Sequence, residues 1–416
     1  MKKSVAIVSS GYLPVPDVLG GAVEGLINCI IQENETAGGL ALRIYSTSEP
    51  AAVEAARNLK ATEIVFFETP KVVLAADRAI HWFAKSVLRK RKNMSWAHIL
   101  KRVHYLRCVS AHLAEHRVDA LVLENHATQF SVLRSHGNRN RYRGRTFFHL
   151  HNEVSADYGS RELMSETYRV LCVSGYIARS FANHMGWDAG DPRLSILRNC
   201  AIGEFFDKGR SDEVRAKARE RFGIGEDEFV VLFSGRLTAE KGASELLDAF
   251  TAADVPNSRL LIAGAYFFKD KVTSPYEEAL KRKASELGER VVFTGFVEHA
   301  EMAELYAACD VVCNPSIWDD PALLANIEAL AAGKPVVSTY SGGVPEYVDE
   351  TCGVLLERSE RLVENLAAAL IELASNPAKR DRLAEGARTK AASLDAKTYY
   401  KNFVGLIEGL NTEGGE

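Results

Sequence analysis

Short β-branched runs alternate with longer helical patterns along the whole chain, and this alternation constrains the fold more than any other feature. Val5–Val8, Ala41–Tyr45, Ile64–Phe67, Ala120–Leu123, Thr146–Leu150 and Val170–Val173 read as buried strands. A second series follows at Leu194–Leu197, Phe229–Phe233, Arg259–Ala263, Val291–Thr294, Val311–Asn314, Pro335–Thr339 and Gly353–Leu355. Strands this apolar suit a parallel sheet covered on both faces. The predicted helices include 244–251, 276–286, 300–308 and 323–332, and the clearest is 96–113, with Trp96, Ile99, Leu100, Val103, Leu106, Ser110 and Leu113 on one face. The fold class expected is α/β, with two doubly wound Rossmann-like domains. The boundary falls near residue 198, giving domains 1–197 and 198–392 and a C-terminal helical segment 393–416.

The chain has 416 residues, enough for two or three domains, and a net charge of -4, which gives no global reason to expect nucleic acid as a partner. Seven scattered cysteines form no C-x-x-C pair, so neither a zinc site nor a disulfide framework is expected, and a reducing cytosol suits them. The N-terminal apolar run is too short for a secretory signal, and no run reaches transmembrane length. The expected location is cytoplasmic.

Three segments of the second half carry the chemistry. Gly235-Arg236-Leu237-Thr238-Ala239-Glu240-Lys241-Gly242 follows a strand and precedes a helix. Arg236 offers a planar fork and Lys241 a point charge, a natural clamp for a diphosphate; the alternative is a loop with solvated cations. Asn314 to Leu330 again runs from strand through loop to helix, with Asp320 and Glu328 eight residues apart, or roughly 12 Å along the axis if everything between them is helical. A helix start at Pro321-Ala322-Leu323-Leu324 would turn free N–H groups toward a diphosphate, while the two carboxylates accept hydroxyls. The alternative makes Asp320 an ordinary N-cap and Glu328 a surface residue. In Ser341-Gly342-Gly343-Val344-Pro345-Glu346-Tyr347 the paired glycines permit close approach of backbone to a ligand. All three follow strands, so all lie at the carboxyl edge of one sheet, where open α/β sheets bind ligands.

In the first half, Gly20-Gly21 stands at a helix start, where it can reach phosphate or an acceptor. It is not a G-x-G-x-x-G fingerprint, which argues against a dehydrogenase. His151 leaves a strand in His149-Leu150-His151-Asn152-Glu153, placed to orient or polarise a reacting group, and His126 is a weaker candidate of the same kind. Between Arg78 and Ala114 there are nine cations and no acid, with Trp82, Phe83, Val87, Leu88, Met94 and Trp96 interleaved. The pattern reads as two amphipathic helices joined by the basic tetrad 89–92. It points to docking of residues 78–107 on an anionic membrane surface, against the alternative of a solvated helical face.

Taken together, these motifs resemble family 4 of the retaining glycosyltransferases, whose fold is termed GT-B, two domains facing each other across a cleft. Gly235-Arg236-Leu237 with Glu240-Lys241-Gly242 is similar to that family's phosphate-binding segment, Thr294-Gly295-Phe296-Val297 to its base-side loop, and Asp320 through Glu328 to its E-x7-E motif. Gly342-Gly343-Val344-Pro345-Glu346 is similar to the segment that follows, and Asn199 with Phe205 to the family's N-G-V-D-x-x-x-F entry, with Cys200 in place of the glycine. The resemblance covers roughly residues 195–356 and is looser in the first half.

It implies a hexosyltransferase that moves a sugar from a nucleotide diphosphate sugar to a glycan or lipid-linked acceptor in surface polysaccharide synthesis. No metal and no cofactor beyond that co-substrate are implied. Arg236 and Lys241 would hold the diphosphate, Glu328 the ribose and Asp320 the transferred sugar, with His151 near the sugar. Gly20, Gly21, Gly235, Phe296, Val297, Ala322, Leu323 and Leu324 would line the donor. Asp320 departs from the family's glutamate by one methylene. That departure leaves open a non-catalytic nucleotide-sugar binding or regulatory protein, and a GT-B-type epimerase is the other alternative.

Overall fold

The computed structural model describes residues 2–86, 98–265 and 274–410. They form two compact units, one of residues 2–173, 177–197 and 400–410, the other of residues 174–176 and 198–399. The first holds a seven-stranded sheet in the order β3-β2-β1-β4-β5-β6-β7, and the second a six-stranded sheet in the order β10-β9-β8-β11-β12-β13. Every strand pair is parallel. This is the GT-B class of α/β fold, built from two Rossmann-like units.

In the first sheet the strands are β1 (Ser4–Val8), β2 (Ala41–Thr47), β3 (Thr62–Phe67), β4 (Ala120–Glu124), β5 (Thr146–Leu150), β6 (Arg169–Cys172) and β7 (Leu194–Ile196). β7 pairs with β6, so the run at Leu194 closes the first sheet rather than opening the second series. Strands β1, β4 and β5 are almost wholly buried, as expected when helices cover both faces. The strand order reverses between β1 and β4. The loops that leave these two strands carry Gly20-Gly21 and the Glu124–His126 segment.

The second sheet contains β8 (Phe229–Ser234), β9 (Ser258–Ala263), β10 (Val291–Gly295), β11 (Val311–Asn314), β12 (Val336–Thr339) and β13 (Gly353–Leu356). Phe233, Leu246, Leu247, Phe250, Leu260, Ile262, Leu366 and Leu370 centre its core. The polar segment after Asn199 joins this unit through the Asp212–Arg221 helix. Its Arg215 and Arg219 grip Asp310 at 2.6 and 2.9 Å, and Asp310 in turn accepts the Val230 amide. Here the order reverses between β8 and β11, so Arg236 and Lys241 leave one side of the switch point and Asp320 the other.

The helix predicted over 96–113 runs from Ile99 to Glu115. Leu106, Ser110 and Leu113 are buried as expected, but Ile99 and Val103 are exposed, and Tyr105 and Val109 take the inner face instead. Tyr105 decides the rotation: its hydroxyl donates to the Tyr45 carbonyl and meets Ser9. The helix starts on Asp77, whose carboxylate accepts the Leu100 and Lys101 amides at 2.8 and 2.7 Å. The helix Ala396–Glu408 delivers Tyr400 to Asn34 of the first unit, at 2.6 Å.

Glycine is obligatory where β9 ends. Gly264 has φ +146°, and a Cβ there would lie 1.8 Å from the Gly235 carbonyl oxygen. Gly264→Ala is expected to cost about 3 kcal/mol through this backbone clash, read as a lower urea midpoint for the second unit.

Candidate functional site

The loops after β8, β11 and β12 interlock by backbone contact. Gly242, at φ +76°, sits where a Cβ would meet the Pro315 carbonyl. The Glu240 carbonyl accepts the Ile317 amide at 3.0 Å. Gly342 and Gly343 press on Asp320 and Pro321, and the Gly343 amide donates to the Asp320 carbonyl at 2.8 Å. The glycine pair expected to approach a ligand therefore approaches the acidic loop and braces it. Asn314 sits beneath these loops. It accepts the Ser234 amide and donates to Asn326, which donates to Ser338, whose hydroxyl returns to the Asn314 carbonyl.

Lys241 and Asp320 meet here. The ammonium lies 2.5 Å from the carboxylate, and both side chains are largely buried. Lys241 also lies 5.3 Å from the Trp318 ring. Arg236 leaves the same loop exposed and makes no ion pair among the described residues.

The helix expected at 323–332 spans Leu324–Ala331, with Leu323 as its N-cap. The stretch between Asp320 and Glu328 is thus part loop, and the all-helical spacing of the two carboxylates does not apply. Neither alternative for the acids holds: Asp320 is not the N-cap, and Glu328 is buried. Ala322 and Leu323 are buried and Leu324 partly so, next to first-turn amides that lack helical partners.

Glu328 has two partners that periodicity did not reveal. Its Oε2 accepts the buried Tyr306 hydroxyl at 2.8 Å, and its Oε1 lies 2.9 Å from His299 Nε2. Phe205 packs against both rings, at 5.4 Å from Tyr306 and 5.3 Å from His299. Tyr306 follows His299 by seven residues on the helix His299–Ala308, two turns that put both rings on one face, but their shared partner is fixed only by the fold. Phe296 and Val297, with Arg221, Phe222 and Glu301, line a pocket of about 100 Å³.

In the first unit, Gly20 and Gly21 have φ +78° and +115°. A Cβ on Gly21 would collide with Glu24 and Leu13, so the turn into the Ala22–Ala37 helix requires glycine. His126 caps the short 3-10 helix Ala127–Leu133 by accepting the Thr128 amide, a structural task.

His151 belongs to a buried cluster. Its Nε2 lies 3.1 Å from Glu124 Oε2, and His149 Nδ1 lies 3.2 Å from Glu124 Oε1. Among the described residues these three form a group whose ligand-type atoms lie within 4.8 Å, close enough to hold a metal ion. Burial pushes the Glu124 carboxyl up, but the field of His149 and hydrogen bonds from both histidines outweigh it and hold the group down at about 2. For His151, burial first and then His149 push the imidazole down to about 4, against an opposing pull from Glu124.

A histidine held below its unfolded value gives stability that is full above about pH 6.5 and fades as pH falls toward 4. Glu124 adds a loss in the same direction between about pH 4.5 and 2. The unfolding free energy of the first unit should fall from pH 7 to pH 4 by an amount on the order of 3 kcal/mol for His151, read as a lower urea midpoint, and His151→Asn should flatten that slope.

Residues 214–390 match the family described as glycosyl transferases group 1. Spore coat protein SA of Bacillus subtilis (strain 168) is 23% identical over 401 residues, covering 94% of each chain. The GDP-mannose-dependent monoacylated alpha-(1-6)-phosphatidylinositol monomannoside mannosyltransferase of Corynebacterium glutamicum is 30% identical over 236 residues, covering 55% of this chain and 58% of its own. HepE of Anabaena, solved in complex with UDP and glucose, matches with a TM-score of 0.71 at 20% identity, covering 98% of this chain and all of its own. The chain has the GT-B fold, and its second unit carries the segment that matches the group 1 glycosyl transferases.

Proposed function

We propose that this protein is a retaining, metal-independent glycosyltransferase that moves a hexose from a nucleotide diphosphate sugar to a glycan or lipid-linked acceptor during surface polysaccharide synthesis. One observation carries the reading. The switch point of the second sheet pairs Lys241 with Asp320 and exposes the guanidinium of Arg236 on the same loop. Arg236 and Lys241 take the diphosphate and stabilise its charge as the glycosidic bond breaks. Glu328, held by Tyr306, takes the ribose hydroxyls. Asp320 exchanges part of its bond to Lys241 for a sugar hydroxyl. The departing phosphate receives the acceptor proton on the same face, which retains the anomeric configuration. Gly235, Phe296, Val297 and Ala322 to Leu324 complete the donor surroundings in the second unit.

A thermal-shift screen against UDP, GDP, ADP, TDP and CMP and their sugars tests this reading. One diphosphate should stabilise the protein, by about 2.7 kcal/mol at a hundredfold excess over its Kd. Arg236→Ala should lower kcat about 100-fold, and Glu328→Ala should remove donor binding and activity together. A protein that binds no nucleotide would instead be a non-catalytic relative.

The acceptor is proposed to reside on a membrane. The Corynebacterium relative's name describes transfer onto a phosphatidylinositol glycoside. No helix among the described residues is long and apolar enough to cross a bilayer, so docking would be peripheral, on the inner face of the plasma membrane. The Lys71–Ser86 helix exposes Val72, Trp82 and Phe83, and the Ile99–Glu115 helix exposes Ile99 and Val103. The tetrad 89–92 lies outside the described residues. The protein should pellet with anionic but not neutral liposomes. Trp82→Ala with Phe83→Ala, or alanine at Arg89, Lys90, Arg91 and Lys92, should weaken that binding at least tenfold, since each cation near the surface contributes about 1 kcal/mol.

A further inference from the structure

Glu124 is wholly buried at the end of β4 between two histidines from the end of β5: His149 Nδ1 lies 3.2 Å from both carboxylate oxygens, and His151 Nε2 lies 3.1 Å from Oε2. An ionised carboxylate only accepts, so the nitrogen facing it must carry the proton. The contact therefore fixes His149 as the Nδ1–H tautomer and His151 as the Nε2–H tautomer. The backbone is fixed as well: Asn125 Oδ1 accepts the His151 amide at 3.0 Å, and the Asn125 amide donates to the His149 carbonyl at 2.7 Å.

The two rings differ in what remains. His149 Nε2 is sealed in the interior without a partner. His151 Nδ1 makes no hydrogen bond among the described residues, is not sealed in this way, and belongs to a ring that keeps 7% of its side-chain surface. With its proton committed to Glu124, Nδ1 offers a lone pair. We propose that Glu124 is a positioning residue that locks His151 in the Nε2–H tautomer and so presents Nδ1 as a hydrogen-bond acceptor for a sugar hydroxyl. The inference rests on the reading that His151 lies near the sugar.

The chemistry selects its ligand. A lone pair beside a buried carboxylate favours a neutral donor such as a hydroxyl and repels phosphate or carboxylate. Glu24 lies near enough to feel the Glu124 charge, and burial holds its own carboxyl up, toward the neutral form, despite the hydrogen bond from Ser10. The contacts at 3.1 and 3.2 Å have hydrogen-bond length.

Nitrogen-15 NMR of the imidazoles in the full-length protein, without ligand, tests the tautomers directly. His149 should show a protonated Nδ1 and His151 a protonated Nε2. In Glu124→Gln, which keeps the shape and removes the charge, His151 should populate both tautomers. A His151 protonated at Nδ1 in the wild type, or an equivalent of zinc surviving dialysis, would overturn the proposal.

Turnover is then measured with UDP-glucose or GDP-mannose, whichever the thermal-shift screen selects. Glu124→Gln should lower kcat about 10- to 100-fold with nucleoside diphosphate affinity unchanged. It should have no further effect in a His151→Ala background, and Glu124→Asp should recover part of the loss. Additive losses would overturn the inference. Failure of every nucleotide to bind would instead count against the transferase reading and leave the NMR result to judge the tautomers.

Discussion

Asn314 holds the second unit's chemistry in register. Its side chain accepts the last amide of β8 and donates to the helix after β11, and its carbonyl receives the Ser338 hydroxyl from β12. These partners lie in a buried layer, where an unmet amide would cost about 1–3 kcal/mol. The three strand ends are therefore fixed relative to one another before any ligand arrives. The loops above them then fit together only because glycines remove the side chains that would collide: Gly242 against Pro315, Gly342 against Asp320, and Gly264 against Gly235.

Charge placement follows from that rigid base. Lys241 and Asp320 are nearly buried, which is tolerable only because they face each other. Each is the other's counter-ion, which leaves Arg236 as the exposed cation of that loop. In the transferase proposed above, a donor that brings both a diphosphate and hydroxyls satisfies Lys241 and Asp320 together, whereas an anion alone would leave Asp320 without its partner. The pairing therefore favours a ligand carrying both groups. Glu328 is arranged differently: a buried tyrosine holds one oxygen, and a partly exposed histidine approaches the other.

The first unit solves a related problem with opposite polarity. Its buried charge is the Glu124 carboxylate, and two histidines rather than a cation satisfy it. The result is a polar cluster at the carboxyl edge of β4 and β5 whose charge is that of the carboxylate, in keeping with the hydroxyl recognition proposed for it. Farther along the same unit, Asp77 ties the Lys71–Ser86 helix to the start of the next helix, and apolar side chains remain on both outer faces.

The sequence by itself determined the architecture. Continuous apolar strands separated by helices can hardly do other than form parallel sheets, and a parallel sheet delivers its loops to one edge, so the α/β class and the carboxyl-edge placement of Arg236, Lys241 and Asp320 were legible from pattern alone. What only the tertiary structure decided is which groups meet. Periodicity placed Ile99 and Val103 inward, but the Tyr105 hydroxyl bond turned that helix. Pro321 was locally compatible with a helix start, but Gly342 and Gly343 press on that loop and the helix begins at Leu324. Tyr306 and His299 as partners of Glu328, and Glu124 as the partner of two histidines, carry no local mark, because a hydrogen bond between distant residues depends on strand order and register. Those are properties of the folded sheet and not of any segment within it.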